Sequence, residues 1–234
     1  VELRGKLGIG LIYKSSFDKA NRTSVNTARG LGLEKSLPIL AEVREKWGCP
    51  VLNDVHESEQ CAPVAEAADV LQIPAFLCRQ TDLLLEAGKS GRIVNVKKGQ
   101  FVAPHDIHHA AEKVASTGNR QVVLTERGSS FGYNNLVVDM RGLKVMADAG
   151  WPVIFDATHR VQLPSGGGGA SAGQPQFIEP VASAAVAVGL SGIFVEVHDN
   201  PSKALSDGPN ALRLDLLPAF LRRMRRIHEV AHSV

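Results

Sequence analysis

Short apolar runs recur along this chain, each four to six residues long and bounded by polar or turn-forming residues. They are Gly10–Lys14, Pro50–Asp54, Val70–Ile73, Arg92–Lys97, Gln121–Thr125, Pro152–Asp156 and Gly192–Glu196. Their apolar positions are nearly continuous instead of alternating, which predicts strands buried on both faces. Helical spacing fills the stretches between them. Leu217, Phe220, Leu221, Met224, Ile227 and Ala231 recur at three and four, and Val137, Met140, Leu143 and Met146 do so before Gly150 and Pro152 stop the helix. Seven strand-then-helix units in a row predict a parallel sheet covered by helices.

Two α/β architectures satisfy that pattern, a doubly wound open sheet and an eight-fold barrel. The polar residues choose between them. Lys14, Asp54, Lys97, Glu126 with Arg127, Asp156 with His159, and Glu196 with His198 all fall at or just after a strand's carboxyl end. An open sheet gathers its site at one switch point, whereas a barrel turns every strand-end loop toward one mouth. The expectation is a (β/α)8 TIM-type barrel forming a single domain over residues 1–234. Val1–Gly8 reads as the tail of a helix whose strand precedes the chain, so the barrel's first strand is expected to be missing here. The glycine- and serine-rich stretch Ser165–Gly173 reads as a mobile lid, because long loops over a barrel mouth are usually functional.

Composition narrows the function classes. Of 234 residues, 44% are hydrophobic and 21% charged, which excludes a disordered chain. Lys and Arg number 26 against 24 Asp and Glu, so no global charge bias points to nucleic acid or an anionic membrane. No apolar run approaches the roughly 18 residues of a membrane span. Three cysteines without a C-x-x-C pair suit a reducing cytoplasm.

The candidate chemistry lies in the loops. Lys14, Ser15, Ser16, Lys19, Asn21 and Arg22 share one loop, and such a mixture of cations, hydroxyls and amide suits phosphate or carboxylate. Lys97, Lys98 and Gln100 follow another strand and Arg127 a third, and their convergence predicts an electropositive well for ligands with several anionic groups. His159, Glu196 and Asp207 offer one imidazole and two carboxylates, a donor set for Fe, Mn, Zn or Co. His105, His108 and His109 read as exposed residues at a helix start, and Arg222, Arg223, Arg225 and Arg226 as the solvated or subunit-facing side of the last helix. The glycine run opens no G-x-G-x-x-G helix, and no Walker motif occurs.

Seven segments resemble the 3-deoxy-D-manno-octulosonate-8-phosphate synthase (2-dehydro-3-deoxyphosphooctonate aldolase) family. They are Lys14–Arg22, Asn53–Glu57, Ile73–Asp82, Asn95–Phe101, Arg127–Tyr133, Phe155–His159 and Ser206–Pro209, in the family's order along the whole chain. The resemblance implies condensation of phosphoenolpyruvate with D-arabinose 5-phosphate on a β/α barrel, with release of inorganic phosphate, for lipopolysaccharide inner-core biosynthesis. Water adds at C2 of the enol ether while C3 attacks the aldehyde, and the tetrahedral adduct loses phosphate. By position, Lys14, Lys97, Gln100 and Arg127 match residues that hold phosphoenolpyruvate. Lys19, Asn21, Arg22 and Asp54 match those around the sugar phosphate, with Arg22 toward its distal phosphate. The implied catalytic set is Lys14, Lys19, Asp54, Lys97, Arg127 and His159; Ser15, Ser16, Phe76 and Asp156 complete the substrate-binding set.

His159, Glu196 and Asp207 match three of four metal positions in that family. The fourth belongs to strand one and is cysteine in metal-dependent members or asparagine in metal-independent ones. The text around Asp156–Pro164 and Lys203–Asp207 is closer to the metal-dependent branch, implying one divalent ion and no organic cofactor. The Gly166–Gly169 run departs from the family pattern. A cytoplasmic homotetramer is further implied, with neither nucleic acid nor membrane as partner. Two rivals stand beside this: the sister synthase that uses erythrose 4-phosphate, which carries Lys-Pro-Arg-Thr where this chain has Lys-Ala-Asn-Arg-Thr23, and a phosphosugar-binding barrel without catalysis.

Overall fold

The computed structural model describes residues 1–22, 24–163 and 172–233. In chain order the main elements are α1 (Glu2–Leu7), β1 (Tyr13–Lys14), α2 (Leu33–Trp47), β2 (Val51–Asp54), α3 (Cys61–Ala67), β3 (Val70–Ile73), α4 (Thr81–Lys89), β4 (Ile93–Lys97), α5 (His108–Ala115), β5 (Val122–Glu126), α6 (Met140–Asp148), β6 (Val153–Asp156), α7 (Ile178–Val188), β7 (Gly192–Phe194) and α8 (Leu217–Ala231). The described residues gather into two compact units. The first is Val1–Arg22, Thr27–Lys97 and Asp106–Leu124; the second comprises the described residues of Thr23–Asn26, Lys98–His105 and Thr125–Val234.

In the first unit β1, β2, β3 and β4 pair in chain order, every pair parallel. In the second, β6 and β7 pair in the same way. Parallel neighbours in unbroken chain order are the winding of a TIM-type β/α barrel; a doubly wound sheet reverses its order at a switch point. The fold is therefore α/β of the barrel type, as the polar strand ends implied.

The apolar runs are buried because helices cover them. Val51, Leu71, Ile73, Val94 and Val96 are buried in the first unit, with Leu84 and Ala87 of α4 and Ala111 and Val114 of α5. The pair α4–α5 packs closely at Gly88, where an added Cβ would stand 2.6 Å from Thr117 Oγ1 and 3.0 Å from the Val114 carbonyl oxygen. In the second unit, Leu143, Met146, Phe155, Ile178, Ala182, Phe220 and Met224 form the core. Burying Phe220 and Met224 leaves the arginines of α8 outward, where Arg223 pairs with Glu179 at 2.9 Å and Arg225 with Glu229 at 2.7 Å.

Three expectations shift in detail. Val137 belongs not to a helical stripe but to a short antiparallel pairing of Leu136–Val137 with Ser129–Ser130, and α6 starts only after Asp139, whose side chain accepts from the Arg141 N–H. The last apolar run leaves the ladder after Phe194, because the Glu196 N–H donates to the Thr158 hydroxyl at 3.0 Å. Leu11, Ile12 and Tyr13 are exposed where a strand buried on both faces was expected, since among the described residues of its unit β1 has a strand neighbour on one side, β2. Of the expected lid, residues 165–171 lie outside the described residues; Ala172–Gly173 pairs antiparallel with Gln162–Leu163.

Candidate functional site

Asp54 ends β2 and is the centre of a polar cluster in the first unit. The register places it opposite Gln72 of β3, and Gln72 opposite Asn95 of β4. Residues at one level on adjacent parallel strands point to one face, so the three side chains meet. Asn95 Nδ2 donates to Gln72 Oε1 at 2.8 Å, which turns the other end of the Gln72 amide toward Asp54, where Nε2 donates to Oδ1. The Ser16 hydroxyl donates to Oδ2, Lys19 Nζ donates to that hydroxyl at 3.2 Å, and Lys14 Nζ lies 3.4 Å from Oδ2.

Burial alone would raise the Asp54 pKa and is the largest single influence on it. The charge of Lys14, the Ser16 hydrogen bond and the charges of Lys19 and Lys97 outweigh it together and hold the carboxyl well below the usual carboxylate range. Lys97 is itself buried at the end of β4. The loop that carries Lys19 is folded back on residues 29–32: the Lys19 N–H donates to the Arg29 carbonyl at 2.6 Å, the Gly32 N–H donates to the Phe17 carbonyl at 3.0 Å, and Arg29 pairs with Asp18. Gly30 makes this possible, since a Cβ there would stand 2.4 Å from the Phe17 carbonyl oxygen. Arg22 Nε donates to the Ala28 carbonyl at 2.9 Å, Ser15 is held through its N–H on the Leu52 carbonyl at 3.3 Å, and Asn21 is exposed. Phe76 is 53% exposed and makes no ring contact with the cluster.

The second unit holds the other group. Asp156, fully buried at the end of β6, accepts at Oδ1 from the N–H groups of Thr158 (3.2 Å) and His159 (2.9 Å) and from the Thr158 hydroxyl (3.2 Å); its Oδ2 lies 2.8 Å from His159 Nδ1. An ionised carboxylate only accepts, so Nδ1 carries the hydrogen and Nε2 faces outward. Nε2 is 3.9 Å from Asp207 Oδ1. That spacing exceeds a hydrogen bond. The Glu196 N–H is held by Thr158, but the donor atoms of His159, Glu196 and Asp207 do not all come within 4.8 Å of one another. Among the described residues, His108, His109 and Glu112 do meet that limit, on the outer side of α5.

Arg127, buried after β5, has its pKa pulled down by burial and supported by the charges of Asp156, Glu126 and Asp207; a guanidinium stays protonated throughout the working range. Gln100 is buried, with its Oε1 lacking a hydrogen-bond partner.

One expectation is corrected. Lys98 is fully buried, 3.5 Å from Glu126, and is absent from the group of cations that act on Asp54. Lys97 ends β4, and Lys98 lies just past the strand, where its Nζ turns to the Gly99 and Val102 carbonyls and the Ser129 hydroxyl. Sequence reasoning missed Gln72, Asn95 and Thr158. For the first two a signal existed, a polar residue inside an otherwise apolar strand; for Thr158 there was none. Cys61 adds no chemistry, because burial, with the charges of Glu86 and Glu59, pushes its thiol up to about 12.

The sequence profile of the DAHP synthetase I family matches residues 1–232. Among curated proteins, those named 2-dehydro-3-deoxyphosphooctonate aldolase from Brucella ovis, Brucella melitensis biotype 1 and Brucella abortus are each 57% identical over 233 residues, covering all of this chain and 84% of theirs.

The Asp54 cluster makes a pH prediction. A carboxyl depressed on folding contributes stability above its unfolded value of about 3.9, and that contribution fades as pH falls from there toward the depressed native value. Asp54→Asn removes the negative charge on which Lys14 and Lys19 act, so urea unfolding at pH 7 should show a loss of about 3 kcal/mol. The difference between variant and wild type should shrink as pH is lowered toward 3. A difference independent of pH would show that the ionised carboxylate is not what stabilises the cluster.

Proposed function

The chain belongs to the DAHP synthetase I family and to the 2-dehydro-3-deoxyphosphooctonate aldolases, and on that premise we propose that it condenses phosphoenolpyruvate with D-arabinose 5-phosphate and water. The products are 3-deoxy-D-manno-octulosonate 8-phosphate, a lipopolysaccharide inner-core precursor, and inorganic phosphate. The observation that carries this reading is the gathering of cations around Asp54. Three ammonium groups, on Lys14, Lys19 and Lys97, act on one buried carboxylate. Cations fixed together at strand ends suit a doubly charged phosphomonoester.

In this reading Lys14, Lys97, Gln100 and Arg127 hold phosphoenolpyruvate. Lys19, Asn21 and Arg22 hold the sugar phosphate, with Ser15, Ser16, Phe76 and Asp156 completing the substrate contacts. C3 of the enol ether attacks the sugar aldehyde, water adds at C2, and C–O cleavage releases phosphate. Holding both substrates in line supplies much of the acceleration, and the fixed cations stabilise charge as it moves to the leaving phosphate. Asp54, kept ionised, accepts hydrogen bonds from the sugar's hydroxyls. The 234 residues act as one domain, since the division between the two units falls inside β5.

His159, Glu196 and Asp207 would hold one divalent ion (Fe, Zn, Mn or Co), which supplies Lewis-acid polarisation of an oxygen. Asp156 supports that role by fixing the His159 ring, the usual arrangement behind a metal-ligating histidine. No helix of the described residues is long and apolar enough to cross a membrane. Buried, unbridged Cys49, Cys61 and Cys78 support a cytoplasmic setting. The exposure of Phe131 (69%) and Tyr133 (99%) supports an assembly that covers them, a homotetramer in this reading.

Phosphate release from phosphoenolpyruvate should require arabinose 5-phosphate. Equal or better turnover with erythrose 4-phosphate would move the chain to the sister activity, and no turnover with either sugar would leave a binding barrel. Arg22→Ala should raise the KM for the sugar phosphate at least tenfold with a smaller change for phosphoenolpyruvate, and Arg127→Ala the reverse, each losing a charge-assisted contact. Equal effects on both substrates would refute this division of the cations. Chelation should abolish turnover and added divalent metal restore it, while His159→Ala should lose both bound metal and activity. Full activity at near-zero metal content would place the protein in the metal-independent branch.

A further inference from the structure

Lys98 is among the largest fully buried side chains of the described residues, and the reaction as described makes no use of it. Its Nζ donates to the Gly99 carbonyl at 3.2 Å, the Val102 carbonyl at 3.1 Å and the Ser129 hydroxyl at 3.1 Å. Three acceptors take up the three ammonium protons, and Glu126 Oε1, 3.5 Å away, supplies the counter-charge. That same oxygen accepts the Gly128 N–H at 2.6 Å. The Glu126 side chain thus arches over Arg127 and ties down the residue on its far side.

The backbone repeats the connection. The Lys98 N–H donates to the Thr125 carbonyl at 2.8 Å and the Ser130 N–H to the Gln100 carbonyl at 3.0 Å. Two segments of the second unit, 98–102 and 126–130, are therefore joined side by side, with the Lys98 ammonium between them. One carries Gln100 and the other Arg127.

We propose that Lys98 and Glu126 form a buried charge clamp that positions Arg127 and Gln100 for an anionic substrate bearing both phosphate and carboxylate. The proposal rests on the reading above that these two residues hold phosphoenolpyruvate. Fold stability alone is a poor account of the pair, because replacing a buried ion pair with neutral groups of similar size is often neutral or stabilising. A ligand contact is more demanding. Arg127 is buried, so a small tilt of the 126–130 backbone moves its guanidinium out of line with little freedom to recover. Lys98 and Glu126 are positioning residues in this scheme and touch no substrate.

The test is phosphoenolpyruvate binding by calorimetry, together with KM for each substrate. Lys98→Met alone leaves Glu126 charged and buried and can unfold the protein, so the informative variant is Lys98→Met with Glu126→Gln, which removes both charges and keeps an acceptor for the Gly128 N–H. Ser129→Ala, which deletes one acceptor without altering charge, gives a second and milder reading. The double variant should keep the wild-type circular dichroism, bind phosphoenolpyruvate at least tenfold more weakly and raise its KM to match, with the KM for arabinose 5-phosphate within twofold. Ser129→Ala should show the same selectivity at roughly two- to fivefold. Unchanged phosphoenolpyruvate affinity in either folded variant, or an equal rise in both KM values, would overturn the clamp. Wild-type protein that fails to bind phosphoenolpyruvate at all would instead overturn the functional reading, and the clamp's role with it.

Discussion

An ionised carboxylate cannot be buried without positive charge and hydrogen-bond donors around it, and the first unit's polar cluster is arranged to meet that requirement at Asp54. Desolvation opposes ionisation there more strongly than any other single influence. The answer is distributed: an ammonium from β1, a hydroxyl and an ammonium from the loop after it, an amide from β3 and an ammonium from the end of β4. None of these groups is placed by its own element alone. Each depends on the strand register that sets Asp54, Gln72 and Asn95 at one level. A slip of one residue in any of the three strands would turn a polar side chain to the opposite face and leave the carboxylate without its donors.

Asp156 meets the same requirement by different means. The four donors described above all come from the two residues Thr158 and His159 that follow within the next turn. A tight turn supplies N–H groups that a lysine would otherwise have to replace. The result is direction as well as charge balance: the His159 ring is held through Nδ1, and the Thr158 hydroxyl, while donating to Asp156, accepts the Glu196 N–H. One buried carboxylate thus orients groups from two successive strand ends.

This contrast explains what the sequence revealed and what it concealed. Most strands were legible because burial on both faces leaves near-continuous apolar runs, and the bounds of β2 to β6 fall within a residue of those runs, whereas β1 starts at Tyr13, three residues into its run. Val137 misled because an apolar residue three before Met140 fits a helical stripe as well as a two-residue strand. Charged residues at strand ends were legible as a set, since few other places in an α/β fold collect them. Their partners were not. Gln72 and Asn95 sit inside apolar strands, where a single amide looks like an imperfection until the register sets it beside another. Thr158 carries no pattern, because its role comes from a hydroxyl that donates to one neighbour and accepts from another.

The adjacent lysines bring the point to a single step along the chain. Lys97 and Lys98 are identical in the sequence, and either could be counted among the cations of an anion site. Lys97 ends β4 and Lys98 lies just past it, and the neighbours of each decide its chemistry. On one side, the ammonium groups of Lys14, Lys19 and Lys97 act together on the Asp54 carboxylate. On the other, Lys98 meets a carboxylate and three acceptors, and nothing remains to be satisfied. Folding removes water from both. Cations that are already desolvated and fixed need little rearrangement when anions arrive. The distinction between a charge that binds and a charge that holds is therefore made by the balance of its neighbours, and the residue type alone does not contain it.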